Sequence, residues 1–332
     1  MLRHRLVLLV GAVLAVVCVG VVAVIVAVSG GDDSSSQRRS ISVPKLEGSL
    51  YDDGGQALAW VRANQDDPSA PVIREKIASV PQAVWITGGD DPAKATSQVK
   101  QTVAAAGTAG EVPTFVVYAI PDRDCGGAAA GGAPDGPAYR AWVDAVAGAL
   151  GPEPSIVVLE PDALAQIDCL EKPQRAARND LIAYAAGTIG QRAPKAQVYY
   201  DAGNSKWKPA GEMAKRLKAA GAEEHGAGIS LNVSNFRPTG DEIAYGKQIL
   251  EQLGVDGKKI VVDTSRNGAG AADGDEWCDP EGRKLGRTPT LDTGDAAVTA
   301  FLWVKRPGEA DGCAADAGVF VPDLATALAE GT

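Results

Sequence analysis

The chain has 332 residues, 45% of them hydrophobic, enough for one large domain of about 250–300 residues. Acids outnumber bases 42 to 32, and the net charge is −10, without the basic footprint of a nucleic-acid binder. The two histidines, His4 and His225, are too few for a His-rich metal site and leave a Ser-His-Asp triad one candidate base.

From the N-terminus, Leu6 to Val28 is an apolar run long enough to span a bilayer. Arg3, His4 and Arg5 precede it, and Asp32 and Asp33 follow it closely. Basic residues stay in the cytoplasm, which puts the remainder outside. Residues 1–28 are therefore predicted to be a signal or transmembrane anchor, with cleavage at "AVSGG" as the alternative. Cys18 follows Val17 and lacks the small neighbour of a lipidation site. Residues 29–46, "SGGDDSSSQRRSISVPKL", have linker composition. Residues 47–332 form the predicted main domain, extracellular, secreted or held on the outer face of the cytoplasmic membrane.

Seven short apolar runs then recur. They are "AVWIT" (83–87), "TFVVYAI" (114–120), "SIVVLE" (155–160), "QVYYDA" (197–202), "GISLNV" (228–233), "KIVVDT" (259–264) and "AFLWVK" (300–305). Helical patterns lie between them. In "RNDLIAYAAGTI", Leu181, Ile182, Ala185, Ala186 and Ile189 share one face. Strand alternating with helix predicts an α/β fold with a parallel sheet, closed or nearly closed into a distorted barrel of seven strands. An open doubly wound sheet is the alternative, weakened because no Gly-rich phosphate loop opens any helix. His225, in "EEHGAG", precedes a strand and is read as a surface residue.

The strand ends carry the chemistry. The second run leads to Asp122 and Asp124, the third to Glu160 and Asp162, and the fourth to Asp201. The fifth leads to Asn232 and Asn235, the sixth to Asp263 and Arg266, the seventh to Lys305, Glu309 and Asp311. In a barrel these ends meet at one rim, where such folds build active sites. One such acid alone would be read as a helix cap; convergence is the stronger signal. A carboxylate rim points to glycoside hydrolysis or to magnesium chemistry. Six tryptophans against four phenylalanines favour the sugar. Trp85, Trp207 and Trp277 are expected at or just past strand ends, free to stack on sugar rings. Trp60, Trp142 and Trp303 are expected in the core.

Four cysteines fall in the domain and allow three pairings. Cys125 and Cys169 follow neighbouring strands, as do Cys278 and Cys313. The predicted disulfides are Cys125–Cys169 and Cys278–Cys313, because other pairings would cross the barrel mouth.

At these residues the chain resembles glycoside hydrolase family 6, the inverting β-1,4-glucanases. The matching segments are "VVYAIPDRDCGG", "VVLEPDALA", "YYDAGNSKW", "DTSRNGAG", "EWCDPEGRKLGRTPT" and "FLWVKRPGEADGC". They run in family order across about residues 47–330. The resemblance implies a distorted TIM-like barrel with a seven-stranded parallel core. It makes Asp162 the general acid, and Asp124 the acid that supports its protonation and helps activate water. It makes Asp311 the candidate base and Asp201 a further site carboxylate. Tyr118 matches the tyrosine beneath the distorted sugar. Trp85, Trp207, Trp277, Lys305 and Glu309 match sugar-binding positions, and Asn235 joins them on the rim. The partner implied is a β-1,4-glucan polysaccharide or oligosaccharide, with no metal, no cofactor, no nucleic acid and a monomeric enzyme.

Four positions depart from the family pattern. Ala130 stands where a serine of the loop after "DRDC" is usual, Asn204 replaces a histidine, and Phe236 and Pro238 replace a tyrosine and a tryptophan. The core acids are intact and the sugar-binding shell is thinned. Short loops favour an open cleft and mid-chain attack. Two readings follow: an active endo-β-1,4-glucanase, or a weakly active or non-catalytic glycan binder at the cell surface.

Overall fold

The computed structural model describes residues 38–271 and 276–331. The predicted anchor, residues 1–28, lies outside the described residues, as does the linker up to residue 37. Among the described residues, no helix is long and apolar enough to cross a membrane.

The linker expected to reach residue 46 ends earlier. Strand β1 (Arg39–Ser40) already pairs with β7 (Val255–Asp256). Gln197 Nε2 donates to the Pro44 carbonyl at 2.6 Å, and Leu46 is buried beneath the sheet. Polar composition concealed this docking, which rests on main-chain bonds and the buried Leu46 side chain.

The seven predicted runs form one parallel sheet. Its strands are β2 (Val84–Ile86), β3 (Thr114–Val117), β4 (Ser155–Leu159), β5 (Ala196–Asp201), β6 (Gly228–Leu231), β8 (Lys259–Asp263) and β9 (Val298–Leu302). They lie in chain order without a reversal, which excludes a doubly wound sheet. The sheet curls until its first and last strands meet: the Ala83 N–H donates to the Trp303 carbonyl at 2.9 Å.

Strand alternation shows why the runs are apolar throughout. Phe115 and Val117, Val157 and Leu159, and Ile260 and Val262 face the surrounding helices. Val116, Ile156, Val158 and Val261 fill the barrel interior with Tyr199. Both faces are buried, so both are apolar.

The helices lie outside this sheet. Helix α3 (Pro92–Ala109) starts at Asp91, whose side chain accepts the Lys94 N–H, and buries Ala95, Val99, Thr102 and Ala106 along one stripe. Helix α5 (Lys172–Arg192) buries the five predicted apolar residues and also Arg178. Trp142 and Trp303 are core residues, and Trp60 packs half-buried against a satellite cluster. His225 is half-buried beside Gly187 and Gly221, less exposed than expected. Both disulfides form as predicted, with Cα–Cα distances of 6.2 Å for Cys125–Cys169 and 5.8 Å for Cys278–Cys313.

Candidate active site

The loops that follow the strands enclose a cleft of about 1170 Å³. Asp124, Asp162 and Asp311 line it, with Tyr118, Trp85, Trp207, Asn235, Trp277, Lys305 and Glu309. Ten of the residues predicted from sequence thus meet in one place. Asp201 does not line the cleft. It is 1% exposed and lies directly behind Asp162.

Asp162 follows β4 at the turn Glu160-Pro161-Asp162 and has a left-handed φ of 68°. Its backbone N–H donates to Asp201 Oδ1 at 3.0 Å. Asp201 also accepts the Gly203 N–H at 3.0 Å and the Ser230 hydroxyl at 3.4 Å. No donor among the described residues meets the Asp162 carboxyl. Burial first, then the charges of Asp201 and Asp124, push that carboxyl well above the usual carboxylate range. Burial raises Asp201 as well, but its three hydrogen bonds favour the charged form. The proton of this pair therefore belongs on Asp162, facing the cleft.

Asp124 opens the loop after β3. Its Oδ2 accepts the Ala129 N–H at 2.8 Å, and its Oδ1 accepts from Gln166 Nε2 at 3.3 Å. The Cys125–Cys169 disulfide ties the same two loops. Tyr118 lines the cleft and packs on the barrel-interior cluster, with the Arg123 guanidinium 4.5 Å over its ring and Trp85 edge-on at 5.2 Å. Burial, then Asp162 and Asp124, push its phenol above the usual range, so it stays a neutral hydroxyl.

Asp311 is held differently. Its Oδ2 accepts from Arg266 Nη1 at 2.8 Å and from the Asp279 N–H at 3.2 Å. Lys305 Nζ lies 3.1 Å from Oδ1. Burial works to raise this carboxyl, but the Arg266 and Lys305 charges outweigh it and hold it below the usual range. Burial raises Glu309, whose Oε1 accepts from Gln56 Nε2 at 2.8 Å.

The aromatic residues occupy distinct positions. Trp85 sits within β2, not at its end, and its indole N–H donates to the Val304 carbonyl at 2.8 Å. Trp207 rests half-buried on the core. Trp277 is 57% exposed and offers a free face to the cleft.

Besides Asp201, two acids expected on the rim are turned away from it. Glu160 is 1% exposed and absent from the cleft wall, bonded to the main chain after β3. Asp263 accepts backbone N–H groups from Ser234, Ser265, Val304 and Lys305, which makes it a structural knot beneath three loops. Of the departures, Ala130 and Asn204 line the cleft. Phe236 is buried beneath Arg266, 4.4 Å from its ring, and Pro238 is exposed outside the cleft wall. Asn235 and Arg237 line that part instead.

Sequence reasoning missed Gln56, Asp53 and Arg306, which also line the cleft. Gln56 comes from α1 (Gly55–Ala63), far from any strand end, and only tertiary packing brings it there. Arg123 carried a signal in its place within "DRDC", between two acids.

The arrangement fits comparison with known proteins. The profile of Glycosyl hydrolases family 6 matches residues 49–323. Endoglucanase 1 of Streptomyces sp. (strain KSM-9) is 48% identical over 290 residues, 87% of this chain and 80% of that protein. Endoglucanase A of Thermobispora bispora is 48% identical over 279 residues, and the match spans 84% of this chain but 61% of that longer protein. The endoglucanase Cel6 of Mycobacterium tuberculosis, solved with a methyl-cellobiosyl thio-cellobioside, superposes with a TM-score of 0.81 at 41% identity, covering 87% of this chain and 99% of that one. Profile, relatives and fold agree: this chain belongs to glycosyl hydrolase family 6.

Proposed function

We propose that the protein is an endo-β-1,4-glucanase that cleaves internal bonds of cellulose-like glucans with inversion. The observation that carries this reading is the Asp162 carboxyl. It faces the cleft, no donor among the described residues meets it, and burial with two neighbouring carboxylates raises it well above the usual carboxylate range. A group of that kind can protonate a departing glycosidic oxygen. The 48%-identical relatives named endoglucanases support mid-chain attack.

The other roles follow from position. Asp124 supports the protonation of Asp162 and orients water, and Asp201 acts from behind Asp162 on its charge balance. Asp311 is the candidate base, although two cations weaken its basicity. Tyr118 lies under the reacting sugar. Trp85, Trp207, Trp277, Asn235, Lys305 and Glu309 bind the chain on either side. The disulfides fit an oxidising, extracellular location. Residues 1–28 hold the enzyme, as a monomer, on the outer face of the membrane. Recovery of the protein in washed membranes, released by cleavage near Ser29, would test this.

A second reading, a glycan binder with little activity, draws on Ala128 to Ala130. These residues line the cleft without a hydroxyl to hold water. The deciding experiment follows reducing ends and viscosity when the full chain acts on carboxymethylcellulose and mixed-linkage β-glucan. A rapid viscosity fall, absent in Asp162→Asn, supports the endoglucanase. Binding without release on either glucan supports the binder.

A further inference from the structure

We propose that Glu160 is a positioning residue for the general acid, a buried clamp that fixes Asp162 relative to the strand end carrying Tyr118 and Asp124. The proposal rests on the assignment of Asp162 as acid.

The geometry begins with the backbone. Strand alternation would put Glu160 and Asp162 on the same face as Val158, toward the barrel interior. Left-handed φ values of 48° at Glu160 and 68° at Asp162 break that alternation. Side chains with a Cβ rarely adopt this conformation, and it persists only where surrounding bonds enforce it. At Glu160 the bonds are present. Its N–H donates to the Val117 carbonyl at 2.8 Å, and its carbonyl accepts the Ala163 N–H at 3.2 Å. Its carboxylate accepts the Ala119 N–H at 3.1 Å, the Ile120 N–H at 3.0 Å and the Tyr139 hydroxyl at 2.9 Å.

The carboxylate thus meets donors from a neighbouring strand end and from helix α4 (Gly136–Leu150). Burial raises this carboxyl to about 7, and its three donors oppose that rise by favouring the charged form. Ala119 and Ile120 lead from Tyr118 toward Asp124, and Arg178 continues the clamp by donating to the carbonyls of Pro121 at 2.7 Å and Asp122 at 2.9 Å. Moving Glu160 would move Asp162 against Tyr118 and Asp124 together. Glu160 is 1% exposed and touches no substrate space. Its effect on the reaction must pass through what it holds, Asp162 and the segment from Tyr118 toward Asp124.

Leaving-group dependence tests this. An acid that protonates the leaving oxygen matters for a sugar and little for a phenolate that departs unprotonated. Glu160→Gln should lower kcat on cellotetraose about 30-fold, with KM within about threefold. On 2,4-dinitrophenyl β-cellobioside the same variant should lose less than about threefold. Equal losses on both substrates, or none on cellotetraose, overturn the proposal. Asp162→Asn runs beside it. If Asp162→Asn shows no preference for the aryl substrate, the acid assignment falls and this proposal with it. If Asp162→Asn shows the preference and Glu160→Gln does not, the positioning role alone falls. Should Glu160→Gln fail to fold, Tyr139→Phe removes one donor and leaves the main-chain bonds. It should lose about fivefold on cellotetraose and nothing on the aryl substrate; equal losses again overturn the clamp.

Discussion

Asp162 and Asp311 line the same cleft, and their surroundings oppose each other. Asp162 has two carboxylates as electrostatic neighbours, and burial and those charges hold its proton. Asp311 lies between Arg266 and Lys305, which strip its proton despite burial. Residue type therefore does not set the role; the neighbours do. A cation placed beside Asp162, or removed from beside Asp311, would erase the difference between the two halves of the cleft.

The largest effect should come from Asp162→Asn. It removes the proton on one side only and should cut kcat on cellulose-like substrates by about 10²–10⁴. Steady-state rates on cellotetraose check this, and near-normal turnover would refute the acid role. Arg266→Gln attacks the other side by leaving Asp311 half-paired in a buried site with Lys305 alone, and should cost about 1.5–3 kcal/mol of stability. The sign of its pH dependence is defined. The Asp311 carboxyl is lowered in the folded chain, so its pairing stabilises fully above the ordinary value of about 3.9 and is lost as pH falls through the folded value. The Tm gap between wild type and variant should be wide at pH 7 and narrow in acid; a gap that widens in acid would contradict the pairing.

Asp201→Asn sharpens the comparison without touching the cleft. Removing that charge lowers the Asp162 carboxyl toward its ordinary range, so less of it is protonated near neutrality. The alkaline limb of kcat/KM should move to lower pH, with about tenfold loss at pH 7 and less at pH 5. A uniform loss across pH would argue for a different role. The smallest effect is expected at the exposed platform. Trp277→Ala should raise KM on long oligosaccharides about 3–10-fold with kcat little changed. An unchanged KM would show that no sugar stacks there.

The sequence made the barrel legible because its strands are buried on both faces and therefore apolar without interruption. The acids stood out because each ends such a run. The depth of Asp201 was not legible. It ends β5 as the others end their strands, and only the fold shows that Asp162 lies in front of it. The turning of Glu160 was hidden for a related reason. A period-two reading carries 160 and 162 to one side, and two left-handed residues undo it. Gln56 and Arg306 come from opposite ends of the chain, and no local pattern ties them to a cleft.

The seam of the barrel has its own consequence. First and last strands are fastened where the Ala83 N–H meets Trp303, the Trp85 indole meets Val304 and Arg306 Nε meets the Ala83 carbonyl at 2.8 Å. Trp85 and Arg306 are also walls of the cleft. A glucan pressed against them would act as a splint across this seam. Amides of residues 83–85 and 303–306 should exchange hydrogen more slowly with cellotetraose bound, while the β3–β4 junction stays unchanged. Equal slowing at both places would mean that the sugar stiffens the molecule generally and spares the seam no special strain.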